Sequence, residues 1–273
     1  MRVGVVSDLR FEQYGSYYFA AKNVFEDVQL IQSHKDLEGL DAILCGNDHH
    51  QGHRDIWERD EFINEANRLW LPFFAHTVEH IHSPNFPWNL KIQHSLEKFY
   101  KLRQRCWDVE DAKRYKTKLA RVLISKRYLE DFEPPASRKD KAIFIGKIYP
   151  NREKVIREMQ KFMEVDVGAR QDISYRQFLS ILASYRFVFS PLSLSSTGIP
   201  GRFYEALAVG SFPIQEVAPN TLEAYQTEAS FRDAIFFQTA EEAVEKIKKF
   251  NLAKTENKMC LESELTEFFH DHR

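Results

Sequence analysis

The chain has little of what marks the special classes of protein. Three cysteines in 273 residues, Cys45, Cys106 and Cys260, are too few and too scattered for a disulfide framework or a zinc site built on close cysteine pairs. That scarcity points to a reducing compartment. Ten glycines and ten prolines exclude a collagen-like or low-complexity chain. Charge of one sign is lacking too: 38 Lys and Arg stand against 40 Asp and Glu, a net charge of -2, which argues against a dedicated non-specific nucleic-acid binder. No stretch approaches the ~20 apolar residues of a membrane-spanning helix, and the run Val3 to Val6 is far shorter than a signal-peptide core. The expectation is a soluble, cytoplasmic protein with no transmembrane segment. What the chain does have is 43% hydrophobic and 14% aromatic residues, enough for a buried core and the reverse of a disordered composition. Its length suits one large domain or two ordinary ones.

Short β-branched and apolar runs recur along the first half, at Arg2 to Val6, Val28 to Ile31, Ala42 to Cys45 and Leu71 to Ala75. Each ends in polar residues, and helical stretches such as Tyr17 to Asp27 and Asp60 to Leu69 lie between them. Gly15 falls in the loop after the first strand. The segment from Asp131 to Asp140 carries Pro134-Pro135 among polar residues and is the best linker. A second unit then runs through strands at Lys141 to Ile145, Val165 to Val167, Phe187 to Phe189 and Phe212 to Gln215. Helices at Arg152 to Phe162, Tyr175 to Ser184 and Gly201 to Val209 alternate with them, and amphipathic Glu- and Lys-rich helices close the chain. Strand and helix alternating in this way predict parallel sheets with crossover helices, because parallel neighbours need a long return connection. The reading is an α/β protein of two Rossmann-like domains, 1–134 and 135–273, facing each other across a cleft.

The sharpest local signal is the segment Ser190 to Ile214: a strand, a small-residue loop with Gly198, a helix whose first turn carries Arg202, and Gly210 before another strand. Unpaired first-turn amides and the helix dipole suit that loop to an anion such as a diphosphate, and Arg202 adds a bidentate donor. Glu205 can accept from vicinal hydroxyls. Taken alone, Glu205 could equally be a capping residue and the glycines ordinary turn residues.

The run Arg202-Phe203-Tyr204-Glu205-Ala206-Leu207-Ala208-Val209-Gly210, followed by Pro213-Ile214, resembles the carboxy-terminal domain of GT-B-fold glycosyltransferases, in particular the spore-maturation-type and exostosin-like branch. Phe144 to Glu153, with Gly146 and Arg152, is similar to the segment that opens the family's donor domain. The matching residues span roughly 141 to 216. The resemblance implies transfer of a hexosyl or pentosyl group from a nucleotide-diphosphate sugar to an acceptor hydroxyl, with no cofactor; because fixed positive groups and helix-end amides can stabilise the departing diphosphate without a metal, metal-independent activity is expected. It places Glu205 on the donor ribose, Arg202 and Arg152 on phosphates, and Gly146, Gly198 and Phe203 beside them. The family's retaining members often carry a second glutamate eight positions earlier; here that position is Thr197, which leaves the stereochemical outcome open.

The first half should supply the acceptor site and the base. Seven of the ten histidines lie from His49 to His94, six of them in two clusters after predicted strands. A base near an acceptor hydroxyl needs a near-neutral pKa, which His provides and a partly buried carboxylate can reach, so Asp48, His49, Glu79 and His80 are the candidates. Asp8, Gly15 and Trp88 are candidates for the acceptor side, Trp88 as a stacking platform between turn residues. Trp57, Trp70 and Trp107 read as core. His76-Thr-Val-Glu79-His80 also fits an inverted zinc-protease pattern, which requires a helix, and gives a rival reading as a histidine-rich zinc hydrolase. A third reading is an inactive glycan or nucleotide-sugar binding module. Residues 98–127 hold eleven Lys or Arg against three acidic residues. That excess could guide a glycan, a lipid-linked sugar or a modified DNA base as acceptor.

Overall fold

The computed structural model describes residues 1–7, 12–46, 55–78, 94–106, 109–121, 124–130, 132–169, 173–192, 198–219, 221, 233–250 and 260–272. The chain divides into two units, residues 1–127 with 260–273, and residues 128–259.

Unit 1 contains β1 (Arg2–Val6), α1 (Glu12–Val24), β2 (Asp27–Leu30), β3 (Ala42–Gly46), α2 (Asp60–Arg68), β4 (Phe73–Val78), β5 (Leu102–Cys106), α3 (Val109–Arg114) and, last in the chain, α8 (Leu261–His270). Its sheet is parallel throughout, in the order β2-β1-β3-β4-β5. Every residue of β3 is buried, as is all of β1 after Arg2, which is why these strands read as unbroken apolar runs. Below the sheet Trp57, Phe62, Phe73 and Phe99 pack together, Phe73 and Phe99 stacked with ring centroids 4.1 Å apart. Full burial of one such ring stabilises by roughly 1.5–3 kcal/mol.

Unit 2 contains β6 (Lys139–Ile145), α4 (Pro150–Gln160), β7 (Val165–Gly168), α5 (Tyr175–Ala183), β8 (Tyr185–Ser190), α6 (Gly201–Ala208), β9 (Phe212–Glu216), β10 (Ile235–Phe237) and α7 (Ala240–Lys249). Its sheet is again parallel, in the order β10-β9-β8-β6-β7. Pro150 opens α4 at a position where its missing N–H is not needed. Ser174 and Thr239 cap α5 and α7, each side chain accepting from the backbone amide three residues on.

Both sheets therefore share one topology: the second strand lies on one side of the first, and the third, fourth and fifth follow on the other. In such sheets the crevice beyond the carboxyl ends of the first and third strands is where ligands bind. Those ends are β1 and β3 in unit 1, and β6 and β8 in unit 2.

Four expectations change. Gly15 lies inside α1 rather than in a loop, because the helix begins at Glu12. β4 runs to Val78, which puts His76 on a strand. The sequence closes the second domain with the last helix, yet α8 belongs to unit 1, where Phe269 stacks on Phe74 at 3.9 Å and meets Phe25 at 4.6 Å. The edge strands β5 and β10 go unread in the sequence. Leu-Arg-Gln-Arg-Cys hides its strand character behind two arginines, Arg103 exposed and Arg105 buried only through its ion pairs with Glu264 and Asp271, and Ile-Phe-Phe is only three residues long.

Candidate functional site

At the carboxyl end of β6 the chain turns through Gly146 with φ 152°, a conformation for glycine alone. A side chain there would collide with Nη2 of Arg202, so this glycine makes room for a guanidinium from another element. Arg202 occupies the first turn of α6 and lies over the Phe144 ring, 4.8 Å from its centroid. Pro200 at the N-cap has no side-chain acceptor for the first-turn amides of α6. The far end of this eight-residue helix is held by Arg138, whose guanidinium donates to the carbonyls of Val209, at 2.9 Å, and Gly210. Both ends of α6 are thus set, and its amino terminus stands at the crevice between β6 and β8.

Glu205, one turn on, is 3% exposed, and its Oε1 accepts a 2.9 Å hydrogen bond from the Tyr175 hydroxyl at the start of α5. Tyr175→Phe should lower stability by about 1–2 kcal/mol, since a buried carboxylate loses a donor, and urea denaturation measures it.

Arg152 is nearly buried. Its Nη1 donates to the Lys147 carbonyl at 3.0 Å and its Nε to the Leu192 carbonyl at 3.3 Å, while its guanidinium lies over Tyr149. Burial pushes its pKa down, with the nearby Tyr149 and Glu216 opposing. It ties the loops after β6 and β8 together. Glu216 closes the same corner by accepting from the Leu192 amide at 2.8 Å, and burial pushes its carboxyl up. At this end of the sheet Asn151 Oδ1, Ser190 Oγ and Gln215 Oε1 are buried without a hydrogen-bond partner among the described residues. A polar ligand or an ordered water would satisfy them.

Of the expected donor residues, the structure brings Gly146 and Arg202 into contact. Glu205 follows Arg202 on α6, and Gly198 is buried just before that helix. Phe203 is corrected: it is fully buried, stacked on Phe236 with centroids 5.6 Å apart, and seats α6 in the core. Arg152 is a strut between loops in this geometry. The expected base residues Asp48, His49, Glu79 and His80 lie outside the described residues, as do Asp8, Trp88 and Trp107. Trp57 is buried as expected. Trp70 is corrected from core to surface, 59% exposed and edge-on to Tyr100.

His76 bears on the rival zinc reading, which the strand context after Phe73-Phe74 already disfavours. On a strand, it cannot form the helical zinc pattern, and both ring nitrogens are engaged. The Tyr17 hydroxyl donates to Nδ1 at 2.8 Å, and Nε2 donates to Glu264 at 3.2 Å. Among the described residues no group of three His, Cys, Asp or Glu side chains could hold a metal. Arg105, 2% exposed, donates to the same Glu264 oxygen at 2.9 Å, and Arg121 lies 3.3 Å from the other. Burial opposes ionisation of Glu264, but the His76 bond and the charges of His76, Arg121 and Arg105 outweigh it and hold the carboxyl at about 2. Burial pushes the His76 imidazole below its usual range, with the Glu264 carboxylate opposing. Sequence reasoning misses Tyr17, Arg105 and Glu264, whose partners are far away in the chain.

The two parallel sheets, with a helix terminus and a guanidinium at the crevice of the second, define a two-unit Rossmann-like protein of the GT-B kind. The chain belongs to the glycosyl transferase-like family, whose model matches residues 135–273. It is similar in fold to an α1,3-fucosyltransferase, at 12% identity and TM-score 0.51 over 99% of this chain and 89% of that one. It is also similar to a putative UDP-N-acetylglucosamine 2-epimerase from Listeria monocytogenes, at 9% identity and TM-score 0.52 over 91% and 87%. No curated protein matches it. None of the described helices is long and apolar enough to cross a membrane.

Proposed function

We propose that this glycosyltransferase moves a hexosyl or pentosyl group from a nucleotide-diphosphate sugar to an acceptor hydroxyl without a metal ion, and acts in the cytoplasm. One observation carries the reading: the Arg202 guanidinium, seated on Gly146 at the amino end of α6, stands at the crevice where such sheets bind ligands. Glycosyl transfer needs fixed positive groups for the departing diphosphate, and a guanidinium with helix-end amides supplies them. Glu205, its carboxylate oriented by Tyr175, takes the ribose hydroxyls. Gly198 lets the donor approach α6, and Arg152 shapes the pocket by holding its two loops. The base comes from Asp48, His49, Glu79 or His80, and the acceptor is a glycan, a lipid-linked sugar or a modified DNA base guided by residues 98–127. The spore-maturation-type and exostosin-like branch is the proposed kinship, resting on the motif from Arg202 to Ile214.

A thermal-shift panel of UDP, GDP, TDP, CDP and ADP tests the reading, because a ligand bound only by the folded chain raises its Tm. One diphosphate should stand out. Arg202→Ala should weaken that ligand roughly tenfold or more, the loss of a charge-assisted bond worth ~1.5–3 kcal/mol. Unchanged affinity removes Arg202 from the site. Turnover should persist in a chelator.

A further inference from the structure

Unit 1 holds a cavity of about 700 Å³ that the reading above leaves unused. Arg103 and Arg105 of β5 line it, with Lys116, Thr117 and Lys118 from the turn after α3 and His272 after α8. Small-molecule sites span ~300–1,000 Å³, so this one has room for a phosphorylated monosaccharide.

Its charges are unevenly matched. Arg105 and Lys118 pair with Asp271, at 2.5 and 2.9 Å, and Arg105 also with Glu264. Arg103 and Lys116 have no ion pair among the described residues. Among the described residues two cations lining the cavity are therefore uncompensated.

The backbone supplies a second sign. After α3, the Thr117 amide donates to the Ala112 carbonyl at 2.9 Å and the Lys116 amide to Lys113 at 3.3 Å. This is the terminus that places its penultimate residue in the left-handed region, usually a glycine. Here Lys116 stands there with φ 53°. The corresponding residue after α6 is Gly210, φ 73°. A lysine in this conformation is strained, and such strain gathers at ligand sites. Gln104 and Thr117, which also line the cavity, each keep a buried side-chain oxygen without a partner among the described residues. The His272 imidazole is pushed down by burial and by Arg103, with Arg105 and Lys118 adding to it and Asp271 opposing.

We propose that this cavity binds a phosphate ester, with Arg103 and Lys116 on the phosphate and the Thr117 hydroxyl donating to it. The site lies within unit 1 and is independent of the α6 reading. Full-length protein is titrated at low ionic strength with inorganic phosphate, with glucose 6-phosphate and with phosphatidic acid vesicles, followed by calorimetry and the His272 ring resonances. Saturable binding that raises the His272 pKa is expected. The sugar phosphate alone binding better than phosphate marks a soluble ester as the source, and the vesicles alone mark a lipid one. Lys116→Gly should raise Tm by removing the strain yet weaken binding about tenfold, and Arg103→Gln should weaken it similarly. Absence of saturable binding to all three probes overturns the proposal, as does affinity within twofold of wild type in both variants. A fall in Tm for Lys116→Gly also overturns it, because the strain then has no part in the site.

Discussion

Glu264→Gln is expected to destabilise the protein by about 3–5 kcal/mol, the loss that follows when one member of a buried ion pair is removed. Arg105 is 2% exposed and meets Glu264 at 2.9 Å, so a neutral amide leaves a guanidinium out of water with only Glu267 and Asp271 at its outer side. His76 loses the carboxylate that selects its tautomer. A Tm within two degrees of wild type would refute this account of the network. The same residues set the acid response. Glu264 has a folded pKa of about 2 against an ordinary 4.5, so its contribution is present above 4.5 and is lost as pH falls toward 2. That shift corresponds to roughly 3 kcal/mol. His76 acts in the same direction from higher pH: the unfolded imidazole takes a proton near its ordinary 6.5 more readily than the buried one, whose pKa burial lowers. Stability should therefore decline from about pH 6.5 downward, and Glu264→Gln should flatten the part below 4.5.

Gly146→Ala is expected to give the second large effect, on the donor site. At φ 152° any side chain is strained, at ~1–3 kcal/mol, and the new methyl would collide with Nη2 of Arg202 and come within 3.4 Å of its Cζ. The guanidinium must leave its place over Phe144. Nucleoside diphosphate affinity should fall tenfold or more, as in Arg202→Ala. The double variant should bind no more weakly than Arg202→Ala alone, since both changes remove one interaction. A further tenfold loss in the double variant would show that Gly146 acts on the ligand separately from Arg202.

The donor half of the site is readable before folding because its parts are local. A small-residue loop, a helix start with Arg202 and a carboxylate three residues on belong to one stretch of about twenty residues, and the chemistry of a helix terminus is carried in that stretch. Gly146 is different. The sequence marks it as a turn glycine, but the reason for it is a guanidinium 56 positions away, and contact at that distance exists only once β6 and β8 are neighbours. The central strands are equally plain as apolar runs, whereas β5 hides among charges because Arg103 faces solvent and the buried Arg105 is matched by carboxylates of the distant α8.

From composition and pattern alone come the α/β class, the parallel sheets, the amphipathic last helix and a helix terminus fit for an anion, all consequences of periodicity and near-neighbour chemistry. The partner of that last helix is a different matter. Amphipathicity shows which side of α8 must be covered but not by what, and the covering comes from Phe74, His76 and Arg105, more than 150 residues earlier. The ionised Glu264 and the lowered pKa of His76 exist only because folding puts them beside two guanidiniums and away from water, and a pKa belongs to surroundings that no linear spacing records.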